Sequence, residues 1–395
     1  MSYIAQILAV APMLTRSGTK GERLSLQNSA HTTLPTGHRA RACLRHLLGG
    51  SAVTVNKTAR GNTRFGGIMI CGAHHVCPIC HYNKMTQERT IVSDIVRKHY
   101  ENGGILVDAV FTTHHHAGDT FDSACERLEA VWKCFRSKRI WNELGDALGV
   151  VGCIRRLEIT VGKNGWHPHY HVSFLCDPIA AKEIKGRTWR TALEDAFTIV
   201  VGAWSDASKR AGITTNEQAQ IATAIIGHVN AQKAVEYNTK NMGYGERKKD
   251  SLTPMDLLRI INQIDDAAAV YAAKRLFCEY AEGIKGKHSL TFIGSARAAR
   301  PAAVEHAAIA NEDATVEQLG KVSPPAWKAI LKHGLRELLA DVNTRCELVA
   351  IVRHAASLGG HKSIPPDWLY LTQEKETVRG SSKSLSTCAD GSPCV

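Results

Sequence analysis

Three histidines alternate along His167-Pro168-His169-Tyr170-His171, and a carboxylate, Glu158, lies a few residues upstream. Alternate residues of a strand share a face, so an extended segment would point His169 and His171 the same way. The flanking runs CIRRLEITV and WHPHYHVSFL, separated by GKNG, read as a β-hairpin over 153–175. A turn at Lys163-Asn164 pairs Gly162 with Gly165 and sets Glu158 opposite His169. A turn at Asn164-Gly165, the pair favoured for type I′ geometry, sets it opposite His171. Either register places Glu158 on the histidine face; only a one-residue bulge would remove it. Two imidazoles and a carboxylate suit Mg2+ or Mn2+, with coordination positions left for phosphate oxygens. The plainer reading is a strand whose histidines bond polar neighbours.

A second cluster, Cys71-x5-Cys77-Pro78-Ile79-Cys80, has the close spacing of a structural zinc knuckle. Three thiolates are local, and Cys43, His74, His75 and His81 compete as the fourth ligand. Buried reduced cysteines are the alternative. Cys77-x-x-Cys80-His81 also fits a haem-attachment pattern, but that chemistry requires export, and no Lys or Arg precedes the apolar stretch Ile4 to Leu14.

The elements that would hold these groups alternate between short strands and helices. Val53, Val55, Ile68 and Ile70 mark strands within 51–70, and ILVDAVFTT at 105–113 marks another. Lys84 to Tyr100 has helical spacing. Residues 119–147 read as a helix capped by Asp119 or Thr120, with Leu128, Val131, Trp132 and Phe135 on one face. Further helices are expected at 188–210, 230–242 and 254–264, a last strand at 288–294, and two helices in 324–358. The fold class is α+β: an antiparallel central sheet with flanking helices, a small cysteine-rich module at 71–81 and a helical C-terminal region.

Composition sets the partner class. The 395 residues carry a formal charge of +12, pointing to a polyanion. Between Arg16 and Arg64 many bases, among them Lys20, Arg23, Arg41, Arg45 and Lys57, face one acid, Glu22. Residues 1–40 are expected to form a basic, loosely ordered arm for salt-sensitive phosphate binding. A catalytic domain is expected over 41–297, a helical accessory region over 298–375 and a disordered Ser-rich tail over 376–395. No apolar run is long enough for a membrane span, so a cytoplasmic protein with reduced thiols is expected.

His169-Tyr170-His171 resembles the His-hydrophobe-His motif of the HUH endonucleases. RRLEITVGKNGWHPHYHVSFL is similar to the corresponding block of single-tyrosine rolling-circle plasmid replication initiators. FGGIMICGAHHVCPICHYNKM with Glu88 and Arg89, AVEYNTKNMGYG and EYAEGIKGKHSLTFIGSAR resemble three further blocks in the family's order, and FTTHHH at 111–116 is a looser match. Together they cover about 60–297.

The resemblance implies an antiparallel sheet with the metal histidines on a central strand. It also implies that Tyr237 attacks a phosphate of single-stranded origin DNA, keeping a 5′-phosphotyrosyl bond and releasing a 3′-hydroxyl that primes a host polymerase. A phenol with a pKa near ~10 is a poor nucleophile at neutral pH. A metal on His169, His171 and Glu158 would orient the phosphate, and Lys240, on the Tyr237 face of a helix, would stabilise phenolate. Tyr244 competes as nucleophile. Where some relatives carry a glutamate four residues before the tyrosine, this chain has Lys233, which leaves the closing step of the cycle open.

Two other classes remain. A histidine-triad nucleotide hydrolase would use a histidine nucleophile and survive chelation. A zinc-containing DNA-binding regulator would bind DNA without attaching to it. Trp327, Ile330, Leu331, Leu335, Leu338 and Leu339 form an amphipathic face that would dimerise, dock a host helicase or pack internally.

Overall fold

The computed structural model describes residues 3–59, 61, 63–180, 188–225, 251–299 and 315–371. It divides into two compact units. It is α+β, with antiparallel sheets and many helices.

The first unit holds residues up to Arg16, His74–Val76 and His81–Ala302. Its sheet runs β6 (Ile221–Ile225), β3 (Ile105–Thr112), β5 (Gly165–Cys176), β4 (Val150–Gly162) and β7 (Ser251–Leu252), and β8 (Leu290–Gly294) also pairs with β4. Every pairing is antiparallel. The β4–β5 turn is Lys163-Asn164: Gly162 faces Gly165 and Glu158 faces His169, the first of the two expected registers. Gly165 has φ of +90°, and a Cβ there would meet the His116 carbonyl oxygen at 2.7 Å, so glycine is required at this corner.

The strand period divides the sheet cleanly. Phe111, Tyr170, Val172 and Phe174 face one layer of helices, where Leu128, Val131, Trp132 and Phe135 from Phe121–Phe135 meet Trp204 from Ala196–Ala211. Phe111 stacks on Trp204 at 4.4 Å between ring centroids and 12° between planes. Burial of each such aromatic contributes on the order of 1.5–3 kcal/mol, and this face anchors the sheet. The opposite face carries His169 and His171 from β5, Arg156 and Glu158 from β4, and Thr112 from β3.

The helix expected over 119–147 is two, Phe121–Phe135 and Lys138–Leu148, broken at Arg136-Ser137. Thr120, not Asp119, is the cap, its hydroxyl accepting from Ser123 N at 3.2 Å. Asp119 instead pairs with Arg127. The edge strand β6 and the alanine-rich helix Ala267–Gly283 are among the elements that escaped the sequence reading.

The second unit comprises Ser17–Ala73, Cys77–Cys80 and the residues from Ala303 onward. Its sheet runs β10 (Leu369–Leu371), β9 (Thr315–Val322), β1 (Val53–Thr58) and β2 (Thr63–Gly66), all antiparallel. The region after 298 is therefore not simply helical: β9 pairs with β1, more than 250 residues earlier in the chain. The helices Pro324–Lys332 and Arg345–Leu358 follow. Trp327, Ile330, Leu335 and Leu339 are buried, and Trp327 Nε1 donates to the Arg45 carbonyl at 3.0 Å. These four side chains pack within this unit, while Leu338 of the same face is exposed.

Residues 1–40 are not a loose arm. They form helices Tyr3–Val10 and Lys20–Thr33, the second capped by Thr19. Several of their bases are committed internally. Arg16 pairs with the fully buried Asp256 at 2.6 Å within the first unit. In the second, Lys20 donates to the Thr63 carbonyl and lies over the Phe65 ring. Burial, with the neighbouring Arg23 cation, depresses the Lys20 ammonium to about 8. The tail 376–395 lies outside the described residues.

Candidate metal centre on the hairpin

On the polar face of the sheet the three expected ligands converge. Glu158 Oε2 lies 3.3 Å from His169 Nε2 and 2.6 Å from His171 Nε2. The donor atoms of all three fall within 4.8 Å of one another. Metal–ligand bonds of about 2.0–2.2 Å place neighbouring donors about 3 Å apart and opposed donors a little over 4 Å apart. The set therefore fits one cation. The donor chemistry fits as well: two borderline nitrogens and one hard oxygen, all nearly buried.

The surroundings fix the imidazoles. His169 Nδ1 lies 3.2 Å from the His167 carbonyl. A carbonyl only accepts, so Nδ1 is the donor in this contact, which leaves Nε2 turned to Glu158. Burial works to raise the Glu158 carboxyl, but the His169 and His171 imidazoles outweigh it and hold the group well below the carboxylate range.

His167 stacks on His169 with centroids 4.8 Å apart and on His115 at 4.5 Å, with Thr112 Oγ1 2.8 Å from its Nε2. FTTHHH therefore contributes Thr112 and His115 to the neighbourhood, while His114 and His116 pair with each other. Below Glu158 on β4, Arg156 is buried against Glu88 at 3.2 Å, and Ser289 Oγ donates to Glu88 at 3.3 Å. Arg156 faces His171 across the ladder. Nothing in the spacing of RRLEIT announces this pair, which depends on the helix Pro78–Glu101 passing over the strand. Glu158 and Arg156 also line a cavity with His74, His75, Met255 and Tyr280.

Two tyrosines near the hairpin are engaged elsewhere. Tyr170 faces the other layer, its hydroxyl donating to Glu129 at 2.6 Å, and burial raises its phenol. Tyr280 donates to the His75 carbonyl at 3.2 Å, and burial raises it too. Tyr237 and Lys240, with Lys233 and Tyr244, lie outside the described residues.

The cysteines form a separate group. Cys71, Cys77 and Cys80 are joined by Cys43, all buried, with their sulphur atoms within 4.8 Å of one another. Of the four candidates for the fourth position, it is the Cys43 thiol that lies with the three local cysteines. His81 Nδ1 lies 3.0 Å from the His74 carbonyl, and His75 Nε2 lies 2.8 Å from that of Lys287. Both groups, the four cysteines and the Glu/His trio, could hold metal.

The chain is 28% identical over 152 residues to Protein rep of Streptomyces lividans, covering 32% of this chain and 33% of that protein. It is 26% identical over 195 residues to a neomycin resistance protein of Streptomyces cyanogenus, covering 42% and 43% respectively. The chain thus spans less than half the length of the curated relatives it matches. No family model and no solved structure matches it. The similarity to Protein rep supports the resemblance to plasmid replication initiators carried by the motifs. No helix among the described residues is long and apolar enough to cross a membrane.

Proposed function

We propose that this protein initiates rolling-circle plasmid replication by nicking single-stranded origin DNA through Tyr237, on an HUH-type nicking fold. The convergence of Glu158, His169 and His171 on one sheet face carries the reading, and the similarity to Protein rep gives it its biological setting. A divalent Mg2+ or Mn2+ ion held there would supply positive charge to a non-bridging phosphate oxygen. Glu158 brings the negative charge that draws the cation in, and the two neutral imidazoles fix its position. Tyr237 Oη attacks phosphorus in line, the bond to the 3′-oxygen breaks, and that oxygen leaves as a hydroxyl after taking a proton. The phenol proton is lost as Lys240 stabilises the phenolate. The 5′-phosphotyrosyl diester conserves the energy of the broken bond, so strand closure needs no nucleotide triphosphate. The free 3′-hydroxyl is the primer for a host polymerase; a host helicase would open the duplex ahead of it.

Incubation with labelled single-stranded origin DNA and Mn2+ tests this. A covalent DNA–protein adduct is expected with the wild type and not with Tyr237→Phe. An adduct undiminished in Tyr237→Phe but lost in Tyr244→Phe would move the nucleophile. Turnover without any adduct that persists in chelator would favour a histidine nucleophile, and binding without cleavage would favour a DNA-binding regulator.

A further inference from the structure

The four-cysteine group in the second unit has the construction of a metal site in its own right. Cys43 and Cys77 are fully buried, and Cys71 and Cys80 are each 5% exposed. All four are free thiols. Cys80 Sγ lies 3.8 Å from Cys43 Sγ and 3.5 Å from Cys71 Sγ. A tetrahedron with metal–sulphur bonds of about 2.3 Å has edges of about 3.8 Å. Sulphurs this close suit one ion, and a multi-iron cluster would spread them further.

The backbone is built to bring them there. Leu44 N donates to the Met69 carbonyl and Met69 N to that of His46, both at 2.8 Å, and Leu47 bridges Ile68. This short antiparallel stretch sets Cys43 beside Cys71 although 28 residues separate them in sequence. Leu44, directly after Cys43, is the one non-glycine residue with positive φ, +52°, among the described residues. A branched side chain is held in the left-handed region only where its surroundings over-determine it. Gly72, at φ +66°, turns the chain after Cys71 so that the Ala73 amide donates to Cys71 Sγ at 3.4 Å.

A second observation is electrostatic. The Arg336 side chain is 1% exposed and donates to the Cys43 and Leu44 carbonyls at 3.5 and 3.3 Å, the Leu24 carbonyl at 2.8 Å and Asn28 Oδ1 at 2.7 Å. These acceptors are all neutral, so no carboxylate among the described residues forms an ion pair with it. Glu337 reaches the guanidinium only through Asn28, and a buried cation with no directly bonded anion is costly. Four thiolates around a divalent ion carry a net charge of −2, and the guanidinium reaches the backbone of one of the ligands.

We infer that Cys43, Cys71, Cys77 and Cys80 bind a single structural Zn2+ as a closed tetrathiolate, with Arg336 as its buried counter-charge. Binding releases the four thiol protons and leaves no position for water or substrate, so the ion stabilises the fold and takes no part in phosphate chemistry. This inference stands apart from the proposed nicking reaction.

The full chain, purified without added metal or chelator, should carry about one zinc per chain by elemental analysis. Cys43→Ser should lose it, whereas Cys346→Ser and His81→Ala should keep it. Should Cys43→Ser fail to fold, Co2+ exchanged into the wild type should show the intense visible absorption of tetrahedral thiolate-bound cobalt with thiolate charge-transfer bands. Zinc retained in Cys43→Ser but lost in His81→Ala would overturn the ligand set. Iron in place of zinc would overturn the ion. Metal-free protein whose four thiols react freely while it remains folded would overturn the site.

Discussion

The Arg156–Glu88 pair beneath the hairpin gives a sharp test of how the candidate metal ligands are supported. Both side chains are about 5% exposed and 3.2 Å apart. Burial lowers the Arg156 guanidinium and the Glu88 carboxylate opposes that shift. At an effective dielectric of about 20, charges 3.2 Å apart attract by about 5 kcal/mol. Replacing Glu88 by leucine removes that attraction and leaves the cation desolvated, a change that costs ~3–5 kcal/mol for buried pairs. Met85 Sδ, 3.1 Å from the guanidinium, is too weak an acceptor to substitute. Urea unfolding of Glu88→Leu, followed by tryptophan fluorescence, should show a midpoint shift of that size at unchanged slope. The double variant Glu88→Leu/Arg156→Met should recover to within about 1 kcal/mol of wild type, because neither member of the pair is left buried without the other. Arg156 faces His171 and lies two residues from Glu158, so Mn2+ affinity should fall in the single variant and return in the double. A single variant costing under about 1 kcal/mol, or a double variant as unstable as the summed singles, would refute the reasoning.

Three further outcomes follow from the same geometry. Gly165→Ala combines a positive φ with a 2.7 Å approach to the His116 carbonyl and should lower thermal stability by ~1–3 kcal/mol and weaken Mn2+ binding. Tyr170→Phe removes a hydroxyl bonded to Glu129 on the face away from the metal ligands; it should cost about 1.5–3 kcal/mol by denaturation yet leave adduct formation intact. The folded pKa of Lys20, about 8, lies below its ordinary 10.5, so between those values the unfolded state binds more protons and stability gains with rising pH. Relative to Lys20→Met, the wild type should therefore gain stability from pH 8 to 10.5; a difference between the two that is flat with pH would contradict the burial of this amine.

Much of the hairpin is legible in the sequence because a period of two is rigid. Once His169 and His171 alternate on a strand, an antiparallel partner ending in GKNG can only bring Glu158 to their face. The choice of register is not legible: the turn statistics favour Asn164-Gly165, but the close passage of the His116 carbonyl makes Gly165 the corner that closes the ladder. Long-range pairings are equally hidden. TVEQLGKV reads as polar with a central Gly320, yet it forms a strand of the second sheet because β1 offers it a partner. The basic segment 1–40 looks like a free phosphate-binding arm, since charge is local information and partners such as Asp256 and the Thr63 carbonyl are not. Cys43 appears in sequence as one of four equals; the long-range pairing of Leu44 to Leu47 with Ile68 and Met69 distinguishes it.

The central claim is that Glu158, His169 and His171 hold the ion on which DNA attachment depends. Mn2+ binding, followed by the loss of the free-ion electron paramagnetic resonance signal, should be compared with covalent adduct formation on origin DNA for wild type and His169→Ala/His171→Ala. One Mn2+ site per chain, lost in the variant together with the adduct, is the predicted result. Unchanged Mn2+ binding in the variant, or an adduct that forms as readily in chelator, would contradict it.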